Sequence, residues 1–166
     1  MDGGKWVLTF LVDANVLIDL GYVRGLDILP KLGTAEVLDV VLLECEAPEG
    51  LAEQVVAVGI QEIESQIEWV QKARPFKTSR LSSQDVLNFY YAKTFQRILL
   101  TNEKPLRNLC QREGVALHGL LWVVEQAYKL NLESSDSLCS WLLALEQIGS
   151  RFPKKALLNL RQMLRC

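Results

Sequence analysis

The sequence predicts an α/β fold built on a mainly parallel sheet. Two observations carry that prediction. Short apolar runs of the kind that fill a strand buried on both faces alternate with helix-starting or amphipathic segments. The chain of 166 residues also has no internal repeat, no low-complexity segment and no linker long enough to divide it. Residues 1–166 therefore read as one domain, with an α/β core over about 1–130 and helices over about 131–166. A chain of this size hides roughly 70% of the surface its unfolded form exposes, so it builds a core without metal or disulfides.

Trp6 to Val12 (WVLTFLV) is the first strand. It stops at Asp13-Ala14-Asn15, and VLIDLGYV follows as a helix that Asn15 can cap. Gly25 and Pro30 bracket the short apolar LDILP, and VVLLE before Pro48 suits either a strand end or a short helix. Over IQEIESQIEWVQKA the spacing of Ile60, Ile63, Ile67 and Val70 predicts an acidic amphipathic helix that ends at Arg74-Pro75-Phe76. Ser82 with Asp85 three residues on resembles a capping box and opens DVLNFYYAKTF. Arg97–Thr101 is a strand, LRNLCQREG a helix closed by Gly114, Val115–His118 a strand and GLLWVVEQAYKL a helix. Two more helices follow, over about 135–148 and 153–164.

Eighteen basic and twenty acidic residues leave a net charge of -2, which excludes a bulk polycation that coats nucleic acid. The four cysteines, Cys45, Cys110, Cys139 and Cys166, include no C-x-x-C pair, and His118 is the single histidine. A Cys/His zinc site is therefore not expected, and the thiols read as reduced, two or three of them buried. No G-x-S-x-G elbow accompanies His118, which argues against a Ser-His or Cys-His enzyme. MDGGKWVLTFLVD is too short an apolar run to span a bilayer and has no small-residue cleavage pattern. The expectation is a soluble cytoplasmic protein with no membrane partner.

Parallel sheets place ligands beyond the carboxyl ends of their strands. Asp13, Glu44, Asp85 and Glu103 all follow expected strands or open helices, so all four can converge on that edge. Two unit charges about 5 Å apart at an effective dielectric near 20 repel by roughly 3 kcal/mol, so such a cluster calls for protons or a cation. Mg²⁺ takes hard oxygen ligands and can activate a bound water toward a phosphodiester. Each acid also has an ordinary role open to it: a turn residue for Asp13, helix starts for Asp85 and Glu103, a solvated surface acid for Glu44.

LVDANVLIDL and LSSQDVLNFYYAKTFQRILLTNEKPLRNLCQREGVALHGLLWVV resemble the first motif and the second half of the PIN-domain family. The tail IGSRFPKKALLNLRQML is similar to the end of a subgroup found in bacterial toxin–antitoxin loci. The resemblance implies a three-layer α/β/α sandwich with extra C-terminal helices. It implies a Mg²⁺- or Mn²⁺-dependent endoribonuclease, VapC-like, with an RNA substrate, a cognate antitoxin and a homodimeric assembly. Asp13, Asp85 and Glu103 match the metal-binding carboxylates, and Glu44 matches a further catalytic acid, with Glu46 as the fallback. Asn15 and Thr101 match supporting polar residues. The family has Asp where this chain has Glu103, so a longer side chain must reach the metal. Among nearby cations, Arg80, Lys104 and Arg107 are candidates to hold RNA phosphates, with solvated surface charge as the alternative.

Two other readings stand beside the nuclease. A binding module with the same fold, taking RNA or protein without catalysis, is favoured by Glu103 in place of Asp. A phosphatase or phosphotransfer domain needs a second Asp two residues after the first, or an Asp with a well-placed Lys; this chain has Asn15 at that position.

Overall fold

The computed structural model describes residues 8–166. Trp6 and Val7, at the head of the first apolar run, lie outside the described residues. Five strands, β1 (Thr9–Val12), β2 (Thr34–Leu38), β3 (Gln61–Ile63), β4 (Ile98–Leu100) and β5 (Leu117–His118), form one sheet in the order β3-β2-β1-β4-β5. Every pairing is parallel. Phe10, Leu11 and Val12 are all buried, as are Leu99 and Leu100. Continuous apolar runs in both strands are what burial on two faces requires.

Helices cover the sheet as an α/β/α sandwich: α1 (Ala14–Tyr22), α2 (Ile28–Leu32), α3 (Asp39–Leu42), α4 (Leu51–Ala57), α5 (Ile67–Ala73), α6 (Ser83–Phe95), α7 (Lys104–Glu113), α8 (Leu120–Lys129), α9 (Ser135–Gln147) and α10 (Lys154–Leu164). α6 packs against α5 and α7, whereas α8, α9 and α10 pack on one another. Trp141 of α9 lies so close to Gly25 that a Cβ there would stand 2.6 Å from the ring. The C-terminal helices are thereby joined to the α/β core. Among the described residues no helix is long and apolar enough to cross a membrane.

The chain runs from β1 outward to β2 and β3, then returns to the other side of β1 for β4 and β5. Strand order thus reverses between β1 and β4, and the crevice beyond their carboxyl ends is the natural ligand position. Backbone hydrogen bonds continue past the strand ends there. Asp13 donates its N–H to the Leu100 carbonyl at 2.9 Å, and Thr101 donates to His118 at 3.1 Å.

Three sequence expectations are corrected, and one open alternative, VVLLE, is decided as a helix. The helix predicted over 60–73 divides into β3 and the shorter α5. Gln61–Ile63 pairs with β2 through Glu36↔Gln61 and Leu38↔Ile63, which covers a sheet edge that would otherwise be bare. Ile60 and Ile63 of the supposed apolar stripe do turn inward, but Ile67 and Val70 on α5 do not. Ile67 is 77% exposed, while Trp69 packs on Tyr91 and Phe95 and Ala73 is buried.

VVLLE is a short helix, α3, ending in a turn that carries Glu44. Asn15 does not cap α1; Asp13 does, accepting from the Ala14 N–H at 2.9 Å. The cysteines are not all reduced. Cys139 and Cys166 form a disulfide with Cα atoms 6.0 Å apart, because α10 folds back along α9 and returns the chain end to its start. Cys45 and Cys110 are buried free thiols, each pushed up to about 12 chiefly by burial.

Other expectations hold. Ser82 and Asp85 close a capping box at the head of α6, with bonds of 3.0 and 2.8 Å. Gly114 ends α7 at φ +73, a left-handed position that glycine adopts without strain. Glu36 in the middle of β2 is a buried acid outside the apolar pattern. Arg97 Nε at 2.7 Å and the Tyr91 hydroxyl at 3.0 Å both donate to its Oε1.

Candidate active site at the β1–β4 switch point

Asp13 leaves the carboxyl end of the central strand and is only 4% exposed. Four donors hold its carboxylate. Ala14 N–H and Asn88 Nδ2 donate to Oδ1 at 2.9 and 3.2 Å, and the Thr101 hydroxyl and Asn15 Nδ2 donate to Oδ2 at 2.8 and 3.0 Å. Burial nevertheless dominates and raises the acid from its ordinary 3.8 to about 6. The Thr101 and Ala14 hydrogen bonds oppose that rise, while the charges of Asp85 and Glu44 add to it.

The strand turn of Thr101–Glu103 wraps this acid. Thr101 Oγ1 accepts from the Glu103 N–H at 3.1 Å and from Asn15 Nδ2 at 3.3 Å. Asn15 Oδ1 in turn accepts from the Asn102 N–H at 3.0 Å. Asn102 Oδ1 accepts from the Leu120 N–H, also at 3.0 Å, and so ties the turn to α8. Asn15 and Thr101 are therefore positioning residues for Asp13, each reached from a different element.

The other three acids are close enough to act on one another electrostatically. Glu44 sits in the turn after α3 and is raised by partial burial, then by the charges of Asp85 and Glu103. Asp85 stands at the start of α6, its Oδ2 turned back to the Ser82 N–H. Glu103 is the residue before α7 and makes no side-chain capping bond. All four acids thus bear on one end of the sheet. Among the described residues, however, no three of the His, Cys, Asp and Glu groups stand in ligating positions around a common point.

The donor chemistry still suits a hard divalent cation. Every donor is a carboxylate or amide oxygen. Asn88, one turn after Asp85 on α6, is fully buried, and its Oδ1 is the buried side-chain atom left without a hydrogen-bond partner among the described residues. An orphaned buried acceptor beside a buried acid is costly unless something positive or protic approaches it.

Sequence reasoning passed over Asn88 and Asn102. Asn88 lies three residues after Asp85 and thus on the same helix face, which was the available signal. Asp39 was also passed over. It follows β2 directly, and its Oδ1 accepts from the Val40 N–H at 2.8 Å and from the Ser65 hydroxyl.

The expected phosphate-binding cations separate. Arg80 and Lys104 line one cleft with Arg112. Arg107 faces elsewhere: an added Cβ at Gly119 would lie 3.1 Å from its Nη1, and its charge, after burial, lowers His118. His118 itself stacks flat on Trp122, ring centroids 4.0 Å apart. Phe89 and Tyr91 of the aromatic run on α6 are buried, and Tyr90 is half-buried.

No family model and no curated protein sequence matches this chain. Among solved structures the chain is similar to the crystal structure of PAE2754 from Pyrobaculum aerophilum. The two share 16% identity over 74% of this chain and 98% of that one, with a TM-score of 0.57. That likeness shows a shared α/β fold and leaves part of this chain outside the match.

Proposed function

We propose that this protein is a metal-dependent endoribonuclease that hydrolyses RNA phosphodiesters, acting as the toxin of a VapBC-like toxin–antitoxin pair. The observation that supports the reading best is Asp13. It is a buried acid at the strand-order switch point, held by four donors and raised chiefly by burial, with smaller contributions from the charges of Asp85 and Glu44. Its setting keeps a costly charge in place where a ligand would bind. The sequence resemblance to PIN domains assigns the same four acids the same task.

Asp13, Asp85 and Glu103 are the residues that would hold Mg²⁺ or Mn²⁺, and Glu44 is a further catalytic acid. When bound, the cation would neutralise the cluster and supply a water of lowered pKa. The remaining work falls to the chain. Thr101 and Asn15 fix both rotation and charge of the Asp13 carboxylate. Asn88 Nδ2 holds the other carboxylate oxygen, while its own buried Oδ1 is left without a partner. Arg80, Lys104 and Arg107 would position RNA phosphates around the acids. A cognate antitoxin that covers the acidic pocket, a homodimeric assembly and a cytoplasmic setting complete the proposal.

A second reading has two observations in its favour. Asp85 is committed to its capping box, and no three acidic groups meet, which suits a module that binds RNA or protein without cleaving it. Incubation of purified protein with total RNA and isolated tRNA, in Mg²⁺, Mn²⁺ or EDTA, separates the two. Discrete fragments that require metal and vanish in Asp13→Asn and Asp85→Asn support the nuclease. Absence of metal-dependent cleavage, or equal cleavage by both variants, overturns it and leaves the binding module.

A further inference from the structure

A cleft of about 270 Å³ opens between the segment leading into α6 and the outer face of α7. Thr78, Arg80 and Leu81 form one wall, and Lys104, Asn108 and Arg112 the other. The last three are spaced by four residues, so they share one helix face. They form a strip about 12 Å long, room for successive phosphates of one strand.

The lining holds three cations and no acid, in a protein whose net charge is -2. Arg80, Lys104 and Arg112 are exposed, and none is in an ion pair among the described residues. Two of its cations are close in the chain to the acids. Lys104 follows Glu103 directly, and Arg80 lies five residues before Asp85. Like charges gathered on two elements without counter-ions are the footprint of an anionic partner.

We propose that this cleft is a backbone subsite for single-stranded RNA. It holds the phosphates next to the one presented to the acids, with Arg112 at its far end. Thr78 and Asn108 supply neutral donors for phosphate oxygens. The placement of the scissile phosphate rests on the nuclease reading, but strand binding by the cleft does not need the acids to work. Arg107, whose guanidinium lies by Gly119, is outside this subsite.

The test is fluorescence anisotropy of a labelled twelve-nucleotide oligouridylate, titrated in EDTA over a range of KCl concentrations. Arg112→Ala and Arg80→Ala are each expected to weaken binding about three- to tenfold at low salt. Each should also make the slope of log affinity against log salt shallower by about 0.7, the loss of one single-strand phosphate contact. Lys31→Ala and Lys129→Ala, on α2 and α8, should change neither quantity, and far-ultraviolet circular dichroism reports whether each variant is folded. Unchanged affinity and slope in folded Arg112→Ala overturns the subsite. So does failure of the oligouridylate to bind while polyglutamate binds in an Arg112-dependent way, which would assign the cleft to an acidic protein. If the arginine variants lose binding but the wild type cleaves no RNA, the nuclease reading fails and the subsite stands.

Discussion

Stability against pH should carry the signature of the buried charge of Asp13. Its folded pKa is about 6, raised from the ordinary 3.8 by burial. Between those two values the native state binds more protons than the unfolded chain. Stability should therefore fall as pH rises through that window, and the whole penalty is present above about 6. A difference of about two pH units corresponds to about 3 kcal/mol, or about 6–12 °C in melting temperature for a chain of this length. Asp19 and Glu44 are also raised by burial and act in the same direction, so the wild-type curve alone does not isolate Asp13.

Asp13→Asn does isolate it. The amide meets the Thr101 hydroxyl and Asn15 Nδ2 with a donor where the carboxylate had an acceptor, so it loses a hydrogen bond. That loss shifts the entire curve by an amount independent of pH, whereas the charge changes its slope. Urea denaturation from pH 4 to 7.5 in EDTA should give a wild-type-minus-variant difference that moves by about 3 kcal/mol across the window. Adding Mg²⁺ at pH 7.5 should recover stability in the wild type and much less in the variant. Parallel curves for the two proteins would refute the argument that Asp13 carries a buried charge whose burial outweighs its hydrogen bonds.

Two further outcomes are expected. Thr101→Val keeps the side-chain shape but removes the hydroxyl that donates to Asp13 and accepts from the Glu103 N–H and Asn15 Nδ2. It should cost about 1–3 kcal/mol in urea and push the pH-dependent window of Asp13 upward, because a bond that lowers its pKa is gone. Reduction of Cys139–Cys166, or Cys139→Ser, opens a link between residues 27 apart. Loop-closure entropy for that separation puts the loss at about 3–4 kcal/mol, read as a lower urea midpoint with dithiothreitol than without it.

Much of the fold was legible because local and tertiary demands agree. A strand buried on two faces must be apolar throughout, so WVLTFLV and RILLT announce β1 and β4. Ser82 and Asp85 mark the head of α6 because a capping box is satisfied within four residues. Asp13 was legible for a related reason: an acid set against the end of an apolar run must serve the strand's carboxyl edge.

Only tertiary structure decided the rest. Gln61–Ile63 became a strand because the edge of β2 needed hydrogen-bond partners, a demand invisible in the spacing of Ile60, Ile63 and Ile67. Cys139 met Cys166 because α10 turns back on α9, a proximity that sequence separation conceals. Asn88 reached Asp13 across 75 positions, and Arg112 reached Arg80 across a cleft between two elements. The sequence determined which residues carry charge, hydrogen-bond capacity and apolar surface, because those belong to single side chains. Which of them meet, and hence that Asp13 is buried among four donors while three cations share a groove, depends on distances set by packing the whole chain.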